Sequence, residues 1–163
     1  MRKVISLIVI VFIFVFSLYC ESTNQVPLEN AISLNFDSSA VFTYLSLERK
    51  FYTTNKVVLS GQIGIGSIPF IGGYSFPHKI IITLPAQKHV SLEIGVGGNY
   101  WMENFSFSSD SYYIYPLFGF RIDSDYHMLF RITFSPYVNI YGDNFFAGYS
   151  FPPSVGASVG YVF

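Results

Sequence analysis

From Ser154 to Phe163 the chain alternates without a break: Val155, Ala157, Val159, Tyr161 and Phe163 fall on one face of an extended strand, and Ser154, Gly156, Ser158 and Gly160 on the other. A strand that is apolar on one side, small or polar on the other, and closed by an aromatic residue fits a wall between hydrocarbon and a narrow lumen. The same period of two recurs upstream. Leu59, Ile63 and Ile65 oppose Ser60, Gln62, Gly64 and Gly66; Val90, Leu92, Ile94 and Val96 oppose Ser91, Glu93, Gly95 and Gly97; Met128, Phe130, Ile132 and Phe134 oppose Leu129, Arg131, Thr133 and Ser135.

Composition agrees with a surface that largely avoids water. Aromatic residues make up 20% of the 163 residues and charged residues only 12%, about half the charged share of an ordinary soluble domain. Residues 1–20 read as a cleaved export signal: Arg2 and Lys3 are followed by an uncharged apolar run from Val4 to Cys20. A retained anchor is the competing reading, since the run reaches the lower edge of spanning length, but no stop-transfer cluster of charges follows it. Cys20 is the only cysteine, which excludes an intramolecular disulfide and a thiolate zinc site. Tyr19 before it is bulkier than a lipidation signal prefers, so ordinary cleavage near Cys20 to Ser22 is expected. Loss of Arg2 and Lys3 leaves seven basic residues against ten acidic ones, a net charge near −3, with no basic footprint for nucleic acid.

Connections alternate between two kinds. Short polar ones lie at 53–56, 85–89 and 123–125, and longer, aromatic-rich ones at Ile68–Phe76, Glu103–Ser111 and Val138–Phe151. Short turns at one end and long loops at the other are the layout of an outer-membrane up-and-down barrel. The expected fold is therefore all-β: a single closed antiparallel transmembrane β-barrel of about eight strands over residues 30–163, after the signal (1–20) and a short segment (21–29). The strands are placed near 30–36, 41–52, 57–67, 77–84, 89–101, 112–122, 126–136 and 153–163. The first is the least defined, because 37–40 could be a bulge instead of a loop. Gly73-Tyr74-Ser75-Phe76-Pro77 echoes Gly148-Tyr149-Ser150-Phe151-Pro152, which suits two strands descending from an outer aromatic girdle, each with Pro at its first position.

With the apolar faces turned to lipid, the lumen receives Ser46, Glu48, Ser60, Gln62, Gly64, Thr83, Ser91, Glu93, Gly95, Gly119, Arg121, Arg131, Thr133, Ser158 and Gly160. Many are small, as the narrow interior of eight strands requires. Glu48, Glu93 and Arg131 each lie a few residues from a short turn, with Arg121 lower, so an ion-pair network among the four is expected to plug the lumen. Read functionally, the same network is an ion or proton gate.

With the strands in place, the chain resembles the small outer-membrane β-barrel domain proteins of Bacteroidetes-type bacteria. The resemblance is carried by Asn30-Ala31-Ile32-Ser33-Leu34-Asn35-Phe36, by Tyr44-Leu45-Ser46-Leu47-Glu48-Arg49-Lys50-Phe51, by Ser60-Gly61-Gln62-Ile63-Gly64-Ile65-Gly66 and by Ser158-Val159-Gly160-Tyr161-Val162-Phe163. It covers residue 30 to the end and rests on the order of loose motifs. It implies integral residence in the outer membrane of a Gram-negative bacterium, with outer-membrane lipid as the surrounding partner. It also implies a closing strand, Val159, Tyr161 and Phe163, that the barrel-insertion machinery recognises during assembly, and it brings no catalytic residues, metal or cofactor.

Three functions follow from these readings. The first is a non-enzymatic barrel with a structural, adhesive or surface-interaction role exercised through the aromatic loops. The second is a lipid-modifying enzyme at the outer rim, for which His78 with Ser75 or Ser150 is the only available pairing; no acidic partner stands beside them. The third is a narrow ion-conducting pore. A soluble ligand carrier, with its apolar face inward, is disfavoured because the polar face is too glycine-rich to coat a wet surface.

Overall fold

The computed structural model describes residues 29–37, 42–68, 73–103, 106–136, 138–141 and 155–163. The expected signal with Cys20, the 38–40 connection and the second loop echo with Ser150 lie outside the described residues. Nine strands are described: β1 (Asn30–Asp37), β2 (Phe42–Thr53), β3 (Val58–Ile68), β4 (Gly73–Pro85), β5 (Val90–Glu103), β6 (Ser106–Asp123), β7 (Met128–Phe134), β8 (Val138–Tyr141) and β9 (Val155–Val162).

Every pairing is antiparallel, and the sheet closes on itself. β1 through β6 pair in sequence, β6 pairs with β7, β7 with β9, and β9 returns to β1. β8 also pairs with β6, further along it, so β7 and β8 are two parts of one stave and the cylinder has eight. The interruption has a chemical cause. The register Phe118↔Phe134 and Ile114↔Val138 sets Pro116 opposite Pro136, and neither can donate a ladder hydrogen bond.

Short turns join β2 to β3, β4 to β5 and β6 to β7. They are closed by Thr54 N to Val57 O at 2.8 Å, Gln87 N to Val90 O at 2.9 Å and Ser124 N to Met128 O at 2.8 Å. At the opposite end two strands begin earlier than the sequence suggested. β4 starts at Gly73 and β6 at Ser106, so the connections expected at Ile68–Phe76 and Glu103–Ser111 are in part strand. Their Tyr and Phe content, read as loop, has high strand propensity and alternates with small residues. Pro77 is accordingly an interior residue of β4 and not its first. The β3–β4 register skips the interval between Ile63↔His78 and Gly66↔Ser75, which contains it, so the missing N–H falls where no ladder bond is made.

The pleat sorts the side chains as a membrane wall requires. Ile94 is 44% exposed, Phe130 47% and Phe120 58%, while their neighbours Glu93, Arg131 and Arg121 are 1–2% exposed. Leu92 is exposed like Ile94, and Val159 is half-buried on the same outward face. Tyr74, Phe76, Tyr100 and Tyr112 stand on the outward face near one end, and Tyr52, Tyr126, Tyr161 and Phe163 lie exposed near the other. On β4 the ten-residue step from Tyr74 to Leu84 measures about 33 Å along a strand. At a tilt of about 40° it rises about 25 Å, the height of an outer-membrane apolar band.

Candidate functional site

The lumen is filled in layers. At the end with the short turns, Ala31, Val162 and Leu129 form a buried apolar floor. Directly above it stands the charged layer, and its geometry follows from the register. Arg121 and Arg131 are cross-strand partners, so two like charges point into the lumen side by side, an arrangement that is unfavourable unless carboxylates separate them. Glu93 comes from the neighbouring β5, and Glu48 reaches across the cylinder from β2.

Arg131 donates through Nη2 to Glu48 Oε2 at 2.7 Å and to Glu93 Oε1 at 2.8 Å, and its Nε lies 2.5 Å from Glu93 Oε2. Arg121 donates through Nη1 to Glu48 Oε1 at 2.9 Å, with Glu93 Oε1 at 3.8 Å. Its Nε turns towards the rim and donates to Asp123 Oδ2 at 2.8 Å. Ser60 Oγ donates to Glu48 Oε1 at 2.9 Å. The four network side chains are at most 2% exposed. At that depth, charges persist only when paired and hydrogen-bonded together.

Beside this layer an uncharged cluster fills the β1–β3 side. Ser33 and Ser46 share a hydrogen bond of 2.9 Å between hydroxyls, Asn35 Nδ2 donates to Ser46 Oγ at 2.7 Å, and Gln62 Nε2 donates to the same oxygen at 2.5 Å. Higher still, Lys79 Nζ donates to Tyr44 Oη at 2.7 Å. It lies 5.4 Å from the Tyr44 ring centre and 6.0 Å from that of Tyr115. Trp101 and Tyr113 bury their rings towards the end with the long connections.

Glycine makes this filling possible. A Cβ on Gly97 would fall 2.5 Å from Tyr115 Cε2, and one on Gly64 would fall 3.0 Å from Tyr44 Cδ2. Both phenol rings therefore lie against bare backbone.

Glu48, Glu93, Arg121 and Arg131 thus meet in one cluster that joins β2, β5, β6 and β7. Lys79, Tyr44, Tyr113, Tyr115 and the fully buried Ile81 and Leu117 were not among the residues assigned inward from the sequence. The period of two already placed Lys79 and Ile81 on the face of Thr83, and Tyr115 and Leu117 on the face of Arg121. The unbroken apolar run Ile80-Ile81-Ile82 hid the first pair.

The Ser75–His78 pairing does not assemble, and the alternative partner Ser150 lies outside the described residues. Ser75 and His78 are three residues apart on β4, so they take opposite faces. Ser75 is fully buried inside. His78 lies on the outer wall, where its Nε2 is 2.9 Å from Tyr112 Oη and the two rings stack at 5.7 Å. The pair meets over Gly98, where any side chain would collide with both. Among the described residues there is no cluster of three or more metal-ligating side chains.

A closed antiparallel cylinder with an apolar belt, aromatic girdles and a charged, packed interior decides the architecture. This is the fold of a transmembrane β-barrel. Comparison of folds agrees. The chain is similar to a de novo designed transmembrane β-barrel, with a TM-score of 0.51 and 8% identity, over 86% of this chain and 100% of the design. It is also similar to the Yersinia pestis outer membrane protein Ail in a phospholipid bilayer nanodisc, with a TM-score of 0.48 and 14% identity, over 83% of this chain and 99% of Ail. The crystal structure of Ail, the attachment invasion locus protein of Yersinia pestis, gives 0.40 and 11%, over 83% and 95%. No family model matches the chain, and no curated protein matches it in sequence. At 8% identity the likeness to the designed barrel is one of fold alone.

Proposed function

We propose that this chain is an integral outer-membrane barrel of the small Bacteroidetes-type kind, with a sealed lumen and a surface-interaction role. The observation that carries this reading is the height of three consecutive strands. β4, β5 and β6 are 13, 14 and 18 residues long, against about 9–11 needed to cross a bilayer. The excess at the end away from the short turns is one residue beyond Tyr74 on β4, three beyond Tyr100 on β5 and six beyond Tyr112 on β6, so the raised part of the wall is built mainly by β5 and β6. A wall that continues past its girdle offers a rigid platform to the exterior, while the charged layer and the rings of Tyr44, Tyr115 and Trp101 leave the interior little room for traffic.

The test shortens the platform and leaves the belt intact. Replacing residues 102–110 with Asn-Gly should give a barrel that still migrates in its heat-modifiable folded form. Cells displaying it should attach to cultured-cell monolayers several-fold less than cells displaying the full chain. The full chain should carry no steady current in a planar bilayer. Equal attachment by the two forms, or a steady current through the full chain, would overturn the proposal.

The closing strand is proposed to be the part read by the insertion machinery. Tyr161 and Phe163 are 48% and 59% exposed on the outer wall, available to a protein that binds the strand before closure. Removing Phe163 should lower the yield of assembled barrel in cells several-fold, whereas refolding of the purified chain into detergent should be nearly unaffected. An equal loss in both settings would assign Phe163 to stability instead.

A further inference from the structure

The outer wall carries a cation that the interior network does not use. Among the described residues, Lys50, Lys79, Arg121 and Arg131 point into the cylinder, and Lys56 and Lys88 stand in the short turns. Arg49 alone of the described lysines and arginines stands on the outward face of a strand. It shares that face with Leu45 and Leu47, 49% and 38% exposed, and its cross-strand partners are Asn30 on β1 and Gly61 on β3. Glu48, its neighbour in sequence, faces the lumen. Among the described residues no carboxylate lies within ion-pair distance of Arg49, and its Nε is buried without a hydrogen-bond partner.

A β-bulge sets the height of this charge. The register shifts between Lys50 and Tyr52, so Arg49 is level with Gly61, three residues above Val58 at the foot of β3. At about 3.3 Å per residue and a tilt of about 40°, that is a rise of about 8 Å from the turn. The extra residue, Phe51, lays its ring over Gly61, where any Cβ would collide with Phe51 Cζ. An aromatic ring thus occupies the place of the side chain opposite Arg49, beside its apolar stem. A guanidinium left bare in hydrocarbon is costly, but from this height a long stem turns the charged end down to the headgroups.

We propose that Arg49 anchors a single phospholipid of the inner leaflet, its guanidinium gripping the phosphodiester while Phe51 and Leu47 lie along the acyl chains. The short turns mark the periplasmic end of such a barrel, so the headgroups within reach of Arg49 are those of the inner leaflet. The chemistry matches: a phosphodiester presents two free anionic oxygens, and the guanidinium fork binds such a pair through two parallel N–H donors. Tyr52, 57% exposed towards the turn, adds a hydroxyl, and Asn30, opposite Arg49 on β1, adds an amide. The lipid supplies from outside the protein the negative charge that Glu48, turned inward, does not give.

The probe is dioleoylphosphatidylglycerol, added to the barrel in a neutral detergent and counted by native mass spectrometry. The unaltered chain should retain one molecule of it, and should retain several-fold less dioleoylglycerol, which has the same chains and no phosphate. Arg49→Met should lower retention of the phosphatidylglycerol several-fold. Lys88→Met, which removes a turn cation whose side chain is 77% exposed, should leave it unchanged, both variants being compared in their heat-modifiable folded forms. Equal retention of the two lipids by the unaltered chain overturns the proposal, and that comparison decides even if Arg49→Met does not fold. Undiminished retention by Arg49→Met, or an equal loss in Lys88→Met, overturns it as well.

Discussion

Arg131→Met should lower the free energy of unfolding by about 3–5 kcal/mol, the range expected when one partner is removed from a buried, hydrogen-bonded ion pair. Arg131 serves both Glu48 and Glu93, and its loss leaves Glu93, among the described residues, with only the 3.8 Å contact to Arg121 Nη1. A carboxylate without a donor at that depth is the main source of the cost. Removing charge in balanced amounts should behave differently. The double substitution Glu93→Gln with Arg131→Gln keeps the Arg121–Glu48 contact at 2.9 Å, and it should lie within about 1–2 kcal/mol of the unaltered chain. Urea titration in phospholipid vesicles, with the heat-modifiable form as the measure of folded protein, separates the two. Equal losses for the single and double variants would show that the residues act through packing and not through charge.

Ile94→Arg should cost about 2–4 kcal/mol in the same titration, because it places a charge near the middle of the apolar belt. Ile94 lies between Leu92 and Val96 on β5, 44% exposed and flanked on both sides by other outward apolar residues. The penalty should fall to about 0–1 kcal/mol for Tyr126→Arg, at the β6–β7 turn, where a long cation reaches the headgroups or water. If the two substitutions cost the same in lipid, the belt does not sit in hydrocarbon. The comparison tests the orientation of the wall without reference to any ligand.

Much of this fold was legible because one rule, alternation with period two, governs every stave. Once Val159 and Ile94 were turned outward, Gly160 and Glu93 had to turn inward. The charged layer was equally accessible, since Glu48, Glu93, Arg121 and Arg131 are the ionisable residues that this rule places inside and near the short turns. The rule was followed less strictly where composition argued against it. Tyr113, Tyr115 and Trp101 fell within the expected strands but were not assigned to the lumen, yet parity with Arg121 and Glu93 sends them inward, and Gly97 supplies the space for Tyr115. The lengths of β4 and β6 were underestimated for a related reason. Gly, Ser and Pro in 73–77 are turn residues in most sequences, but here the small residues serve the crowded inner face. The break between β7 and β8 could not be read at all, because it depends on two prolines, 20 residues apart, meeting across a strand pair.

The charged layer bears on the order of events as the cylinder assembles. Glu48 and its two arginine partners are separated by 73 and 83 residues, and a sheet that is still open holds them on distant staves. Each charge can therefore remain hydrated until the edges join, and the penalty for drying them falls at the moment when they find one another. A cluster satisfied only at that last step adds little to the speed of assembly and much to the barrier against coming apart. It acts as a latch on the finished ring.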